Sequence, residues 1–500
     1  MRRALRWLRG AALALGYPLV IALAAGLLFV TFRLGMASLA PVPTEADPDR
    51  LQAKQEYLES IGPAPAGAPN FVVVFFDDLG WGDLSVQGNA LIDTPHIDRV
   101  AGEGLRFTNF YSASPVCTPS RAAMLTGRYP PRAGVSAHVY FPDESWMGLA
   151  RRAAGVGNEL PRDEILLPEV LRSAGYATGM VGKWHLGGME GHRPRDFGFD
   201  SYFGVLWSND MTPLDLIRDD AVILADARPT GWGERDEEQP LGPGGIDQTT
   251  LTQQYTDEAI AFLESSKRAD RPFFLYLAHS FPHVPHYPSR EHAGESAGGR
   301  YGDVVEDLDR STGAVLAALD RLGLAGDTLV VITSDNGADY GGSPGPLRGR
   351  KGEVLEGGQR VPAIVRWPGR VPPGAVTDAM AMNIDLFATF LALAGMALPS
   401  DREIDGRDLT PLLTAGGASP HEQLFYFPVV GALPEAVRND GFKLLRASGD
   451  AGRDRPHLTR LGADAESHDL RAKHPGVAAE LEAALAAKRA EFESNPRGWR

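Results

Sequence analysis

Residues Phe71-Val72-Val73-Val74-Phe75-Phe76 form an unbroken apolar run, aromatic or β-branched at every position. A run of that length has no polar face to offer water, so it fits a strand buried on both sides, as in a parallel sheet covered by helices. Similar runs recur at Thr178-Gly179-Met180-Val181, Phe273-Phe274-Leu275-Tyr276-Leu277, Leu329-Val330-Val331-Ile332 and Ala363-Ile364-Val365. Between them, apolar residues repeat at helical spacing: Tyr255, Ala259, Phe262 and Leu263 in one segment, Val304, Leu308, Val315, Leu319 and Leu322 in another. The alternation predicts an α/β fold, a mostly parallel central sheet flanked by helices on both faces. From about residue 420 the pattern shortens to Leu424-Phe425-Tyr426-Phe427 and Phe442-Lys443-Leu444-Leu445. A smaller C-terminal lobe over 420–500 follows, with an antiparallel sheet and a closing helix near 476–492. The main α/β body is expected over 70–419, after an N-terminal segment (1–40) and a proline-rich linker (41–69).

Composition narrows the chemistry. Forty-nine Lys and Arg against 64 Asp and Glu leave a formal charge of -15, the wrong sign for neutralising a phosphate backbone, so nucleic acid is excluded as the expected partner. An acidic surface also disfavours long-range capture of an anion, so any anionic substrate must meet a local cluster of cations. The single cysteine, Cys117, rules out an intramolecular disulfide and a thiolate zinc cage. Arg2, Arg3, Arg6 and Arg9 precede an apolar run from Ala11 to Phe32, long enough to cross a bilayer. Basic flanks stay in the cytoplasm, so the rest of the chain is expected to be exported. The alternative is a cleaved signal peptide ending at Ser38-Leu39-Ala40, although Pro41 disfavours cleavage there. Abundant Ala, Arg and Gly hint at a bacterial source. The body would then be periplasmic and anchored in the inner membrane, or secreted if the segment is cleaved.

Polar residues follow the strand-like runs: Asp77-Asp78, then Lys183 and His185, then His279 and His283, then Asp335-Asn336. In parallel α/β sheets ligands bind beyond the carboxyl ends of the strands, so these segments are expected to meet in one crevice. Taken singly, each has a plainer reading as a turn or a core histidine. Together, Asp77, Asp78, Asp335 and Asn336 offer only oxygen ligands, which suits a hard divalent cation, calcium first. Arg121, Lys183 and Lys351 are the cations available to balance the carboxylates or to hold an anion. In Cys117-Thr118-Pro119-Ser120-Arg121, Thr118 suits an N-cap and Pro119 a first helical position, placing Cys117 beside a helix N-terminus that favours negative charge. The thiol itself is a buried core cysteine or a reactive thiolate.

The Cys117-Thr118-Pro119-Ser120-Arg121 element, with Leu125-Thr126-Gly127-Arg128 behind it, resembles the signature of the type I sulfatases, arylsulfatase-like members of the alkaline phosphatase superfamily. Asp77 to Asp83, Gly182-Lys183-Trp184-His185-Leu186-Gly187, Ser334-Asp335-Asn336-Gly337 and Lys351 ahead of Glu356-Gly357-Gly358 are similar as well, and the resemblance runs from about 69 to 445. It implies a sulfuric ester hydrolase in which a formylglycine-generating enzyme converts Cys117 to formylglycine. It further implies a cation, Ca2+, at Asp77, Asp78, Asp335 and Asn336 that also contacts modified residue 117. Arg121 and Lys183 would steady the aldehyde hydrate. Lys351 and His283 would hold the sulfate, either one protonating the leaving alcohol, and His185 would take a proton from the second hydroxyl. Asp335 would help deprotonate the attacking one. The substrate would be a small-molecule or saccharide sulfate ester, with pocket insertions expected at Tyr140 to Asp163 and Met211 to Gly245. His279 and His286 are expected behind the site or in its pocket, Trp184 in packing, and Arg348 and Arg360 in a solvated loop or a structural ion pair. Rival readings are a phosphonate or phosphate diester hydrolase of the same superfamily and a membrane-anchored binding protein without catalysis. The second would need a missing site residue, and none is missing.

Overall fold

The computed structural model describes residues 46–136, 139–153, 156–226, 231–232, 245–447, 456–462 and 466–500. The expected N-terminal anchor, Ala11 to Phe32, lies outside them, and no described helix is long and apolar enough to cross a membrane. The central sheet is built from β1 (Asn70–Phe76), β2 (Leu105–Phe107), β3 (Ala177–Lys183), β4 (Ser201–Val205), β5 (Leu216–Arg218), β6 (Ala221–Leu224), β7 (Phe273–Ala278), β8 (Thr328–Ser334), β9 (Ala363–Arg366) and β10 (Ala375–Thr377). Its order is β10-β2-β9-β8-β1-β7-β3-β4-β5-β6. The five central strands, β8, β1, β7, β3 and β4, are all parallel. Antiparallel pairs flank them on both sides. The α/β expectation holds, with one difference: Ala363-Ile364-Val365 pairs antiparallel to β8. Burial on both faces makes a run apolar, and strand direction leaves no mark on it.

Successive side chains of β1 leave in opposite directions, as the pleat requires. Phe71, Val73 and Phe75 join one hydrophobic cluster with α3 (Cys117–Thr126) and α6 (Asp385–Leu393), whereas Val72, Val74 and Phe76 join another with α2 (Pro95–Glu103), α4 (Leu251–Ala269) and α5 (Gly299–Arg321). Both layers are therefore pinned to the strand that delivers Asp77 and Asp78. The C-terminal lobe is an antiparallel sheet of β11 (Leu424–Tyr426), β12 (Ala436–Arg438), β13 (Phe442–Leu445) and β14 (His457–Arg460), covered by α7 (Pro475–Ser494).

The proline-rich stretch departs from the linker expected there. It carries α1 (Pro48–Ser60), started by Pro48 and by the Asp47 side chain, which accepts from the Asp49 amide. Tyr57, Leu58 and Ile61 pack on the main core, and Lys54 pairs with Glu169 at 2.7 Å. Between Pro48 and Pro63 no proline interrupts the chain, so a helix can form between punctuating prolines.

Candidate active site

The five parallel strands deliver the chemistry at one edge. Asp77 and Asp78 follow β1, Asp335 and Asn336 follow β8, Lys183 ends β3, and His283 lies beyond the end of β7. Helix α3 begins at Cys117 with Val116 in the N-cap position, earlier than the expected Thr118 cap. The Thr118 hydroxyl is used otherwise, donating to the His185 carbonyl at 2.9 Å. Ser120 is held by Asn383 at 2.9 Å, so the helix that bears Cys117 is fixed on two sides.

The acidic groups meet their cations directly. Lys183 Nζ lies 2.5 Å from Asp77 Oδ2, Arg121 donates twice to Asp335 Oδ2 at 2.8 and 3.1 Å, and Lys351 Nζ lies 2.6 Å from Asp78 Oδ2. Arg121 also sits 3.6 Å from Asp77 Oδ1 and donates to the Lys183 carbonyl at 2.9 Å. Three carboxylates therefore face three cations. Removing one partner from such a buried set leaves a charge without compensation, which typically costs about 3–5 kcal/mol. Burial alone would raise the Asp77 carboxyl, but Lys183, His283, Arg121 and Lys351 outweigh it and hold Asp77 well below the usual carboxylate range. Asp335 goes the other way, pushed up to about 7 by burial and by the nearby charges of Asp77 and Asp78.

Fit to a divalent cation rests on the atoms these pairs leave over. Asp77 Oδ1 and Asn336 Oδ1 are buried and lack a hydrogen-bond partner, an arrangement a protein interior tolerates only where something else completes it. One ligand atom each of Asp77, Cys117 and Asp335 lies within 4.8 Å of the others. Asp78 is closer to saturation, with Asn336 Nδ2 on one oxygen at 2.7 Å and Lys351 on the other. The donor set fits a hard cation.

Two residues here are held in left-handed backbone, Asp78 at φ 68° and His185 at φ 60°. For non-glycine residues that costs on the order of 1–2 kcal/mol each. The Asp78 amide donates to Asp335 Oδ1 at 3.1 Å, the Leu79 amide to Ser334 Oγ at 2.9 Å and the His185 amide to the Leu206 carbonyl at 2.9 Å. Gly182, just before Lys183, admits no other residue, because a Cβ would stand 1.8 Å from the Ala278 carbonyl oxygen.

The two histidines are set differently. His185 Nε2 lies 3.0 Å from the Tyr140 carbonyl, which can only accept, so Nε2 carries the hydrogen and Nδ1 a lone pair. That Nδ1 is buried without a partner. Burial, with Lys183 and Arg121 nearby, holds the ring well below its usual range, hence neutral near pH 7. His283 Nδ1 faces Asn209 Oδ1 at 2.9 Å and the Val284 carbonyl at 2.5 Å, leaving Nε2 toward Asp78 Oδ2 at 3.7 Å. Cys117 is only 2% exposed, and burial pushes its thiol up to about 11. At neutral pH it is a protonated thiol, which argues against the reactive-thiolate reading.

All ten sequence-proposed residues thus lie in one interconnected region: Asp77, Asp78, Cys117, Arg121, Lys183, His185, His283, Asp335, Asn336 and Lys351. His279 stands behind it, wholly buried, stacked on Phe76 and pushed down to about 3 by burial. Trp184 is core. Arg348 donates to the Glu466 carbonyl, and Arg360 donates to the Thr108 carbonyl and pairs with Glu356 at 3.7 Å, as the ion-pair expectation had it for Arg360. Sequence reasoning missed Tyr140, Ser208 and Asn209. Ser208 Oγ accepts from Lys183 Nζ at 3.0 Å. A signal was present: Ser201–Val205 is the fifth parallel strand, and Ser208-Asn209-Asp210 follows its end.

Comparison with known proteins places the chain beside sulfatases. The family model described as Sulfatase matches residues 69–396, and that described as N-sulphoglucosamine sulphohydrolase, C-terminal, matches 351–448. The chain is 41% identical to N-acetylgalactosamine-6-sulfatase of Canis lupus familiaris over 392 residues, 74% of this chain and 71% of that protein. It is 39% identical to arylsulfatase A of Homo sapiens over 398 residues, 75% of this chain and 73% of that one. A sulfatase structure described under the metabolism of multiple glycosaminoglycans by Bacteroides thetaiotaomicron superposes with a TM-score of 0.74 at 28% identity, covering 85% of this chain and all of that one.

Proposed function

Starting from the fact that the chain belongs to the sulfatase family and is a sulfuric ester hydrolase, we propose that it works through formylglycine at position 117 and one calcium ion. The observation that carries this reading is the buried, protonated Cys117 set among Asp77, Asp335, Lys183 and Arg121, a place suited to a polar, hydrated aldehyde and poor for a thiol nucleophile. A formylglycine hydrate supplies two hydroxyls on one carbon, one to take up the sulfuryl group and one whose deprotonation expels it; a Cys, Ser or Thr side chain lacks the second. Held by Asp77, Asp78, Asp335 and Asn336, the cation would supply Lewis acidity toward a sulfate oxygen.

The side chains divide the proton work. Asp335, beside residue 117 and Asp77, is the carboxylate placed to accept a proton from the attacking hydroxyl. His283, with Nδ1 already engaged, can present a proton on Nε2 to the departing oxygen, and Lys351 stands as the second donor. His185, neutral and with a bare Nδ1, is the base for the second hydroxyl. Arg121 and Lys183 orient the residue at 117 and offset charge. The relatives favour a sulfated saccharide as substrate, with aryl and alkyl sulfates as further classes. The Ala11 to Phe32 segment is proposed as an anchor or signal that exports the body.

Mass spectrometry of the peptide carrying residue 117, together with metal analysis, tests the proposal on active protein. Aldehyde at 117 and bound calcium are expected. Full activity with an intact thiol sinks the formylglycine mechanism, and stoichiometric zinc without calcium sinks the metal assignment. Parallel assays on a sulfate ester and a phosphate diester separate the sulfatase reading from its superfamily rival.

A further inference from the structure

We propose that Asn209 is a positioning residue for leaving-group protonation, fixing the ring of His283 so that Nε2 faces the reacting centre. The inference rests on the acid role of His283 proposed above and adds to it the group that aims the ring.

Asn209 is 1% exposed and makes four contacts, three of which define its side-chain amide. Its Nδ2 donates to the Pro285 carbonyl at 3.1 Å and to the His283 carbonyl at 3.4 Å. Carbonyl oxygens cannot donate, so the nitrogen must be the atom on that side, and Oδ1 is the atom turned to the imidazole. There Oδ1 lies 2.9 Å from His283 Nδ1, which also faces the Val284 carbonyl of its own loop at 2.5 Å. An amide oxygen only accepts, so Nδ1 carries a hydrogen, and Nε2 is the nitrogen that in the imidazolium carries the second proton and passes it to substrate, leaving the neutral Nδ1–H ring. The fourth contact anchors Asn209 from behind: Gln248 Nε2, itself 2% exposed, donates to the Asn209 carbonyl at 3.0 Å. One side chain thus grips the ring of His283 and the backbone carbonyls of His283 and Pro285, tying the loop after β7 to the segment after β4.

Purely structural residues hold loops too, so the test must separate aiming from holding. Asn209→Leu keeps approximate volume and removes both acceptor and donor. It is compared with His283→Ala and the double variant on an alkyl sulfate and an activated aryl sulfate, with kcat and KM measured for each. Support of an acid by an outer partner is typically worth about 10–100-fold. The expected result is a kcat loss of that size on the alkyl ester, little change in KM, a much smaller loss on the aryl ester, and no further loss when Asn209→Leu is added to His283→Ala. Equal losses on both esters in Asn209→Leu, or additive losses in the double variant, overturn the positioning role while His283→Ala retains its selectivity for the alkyl ester. If His283→Ala itself loses equally on both esters, the acid assignment fails and the positioning role falls with it. Should Asn209→Leu fold poorly, Gln248→Leu, which removes only the anchor behind Asn209, is expected to show the same alkyl-selective loss in weaker form, and an equal loss on both esters overturns the proposal there as well.

Discussion

Two of the buried ion clusters among the described residues, one at the strand ends and one beneath the C-terminal tail, differ in what they leave unsatisfied. Beneath the C-terminal tail, Glu164 accepts from Arg128 at 2.6 and 2.7 Å and from Arg497 at 2.7 Å, Asp405 takes Arg132 at 3.0 Å, and Arg402 donates to the Asp163 carbonyl at 2.7 Å. Every buried side-chain polar atom of these residues has a partner, whereas the strand-end cluster leaves Asp77 Oδ1, Asn336 Oδ1 and His185 Nδ1 without one. The difference between these two is completeness: the tail network is closed, whereas the strand-end network is open, which is what the proposed cation and proton transfers require.

The sharpest way to break this contrast is Asp77→Ala. Loss of turnover to background and of bound calcium is expected in a protein that still folds, read by metal analysis beside circular dichroism; retained turnover would make the open cluster structural like the other. A smaller but large effect is expected at Glu164→Gln: a stability loss of about 3–5 kcal/mol, since one partner of a buried set is neutralised, with turnover per folded molecule unchanged. Burial raises the Glu164 carboxyl, but Arg128, Arg497 and Arg402 bring it down to about 2, from 4.5. A depressed carboxylate contributes stability above its unfolded value and loses it as pH falls through the folded one. The gap between wild type and Glu164→Gln in urea unfolding should therefore be full above about pH 4.5 and close toward pH 2; a gap independent of pH would contradict the ion-network account. The smallest effect belongs to the half-exposed pair of Arg471 and Asp469, 2.9 Å apart. Arg471→Ala should move stability by less than about 1 kcal/mol in the same unfolding assay.

The extent to which the sequence could be read varied with the physics involved. Apolar runs such as Phe71 to Phe76 and Leu329 to Ile332 marked strands because burial on both faces demands apolar residues at every position. Their neighbours then followed from topology, since whatever comes after a parallel strand lands at the same edge. By contrast, α1 was hidden by flanking prolines, and β9 gave no sign of its antiparallel direction. Asn209 could be placed at the strand-end edge, but its bond to His283, like that of the Tyr140 carbonyl to His185, was invisible for another reason: a hydrogen bond to one atom of a distant ring depends on coordinates that no local pattern encodes.

The sequence by itself determined the α/β class, the acidic balance and the set of oxygen, guanidinium, ammonium and imidazole groups at the strand ends, because composition and periodicity are properties of the chain. Only the tertiary structure decided which of those groups are satisfied and which are left open. His185 Nδ1 is bare because Tyr140, 45 residues away, engages the other ring nitrogen, and Asp335 is pushed up because folding brings Asp77 and Asp78 beside it in a dry interior. Desolvation and charge proximity exist only once the chain has closed around them, and those two effects set the protonation of the site.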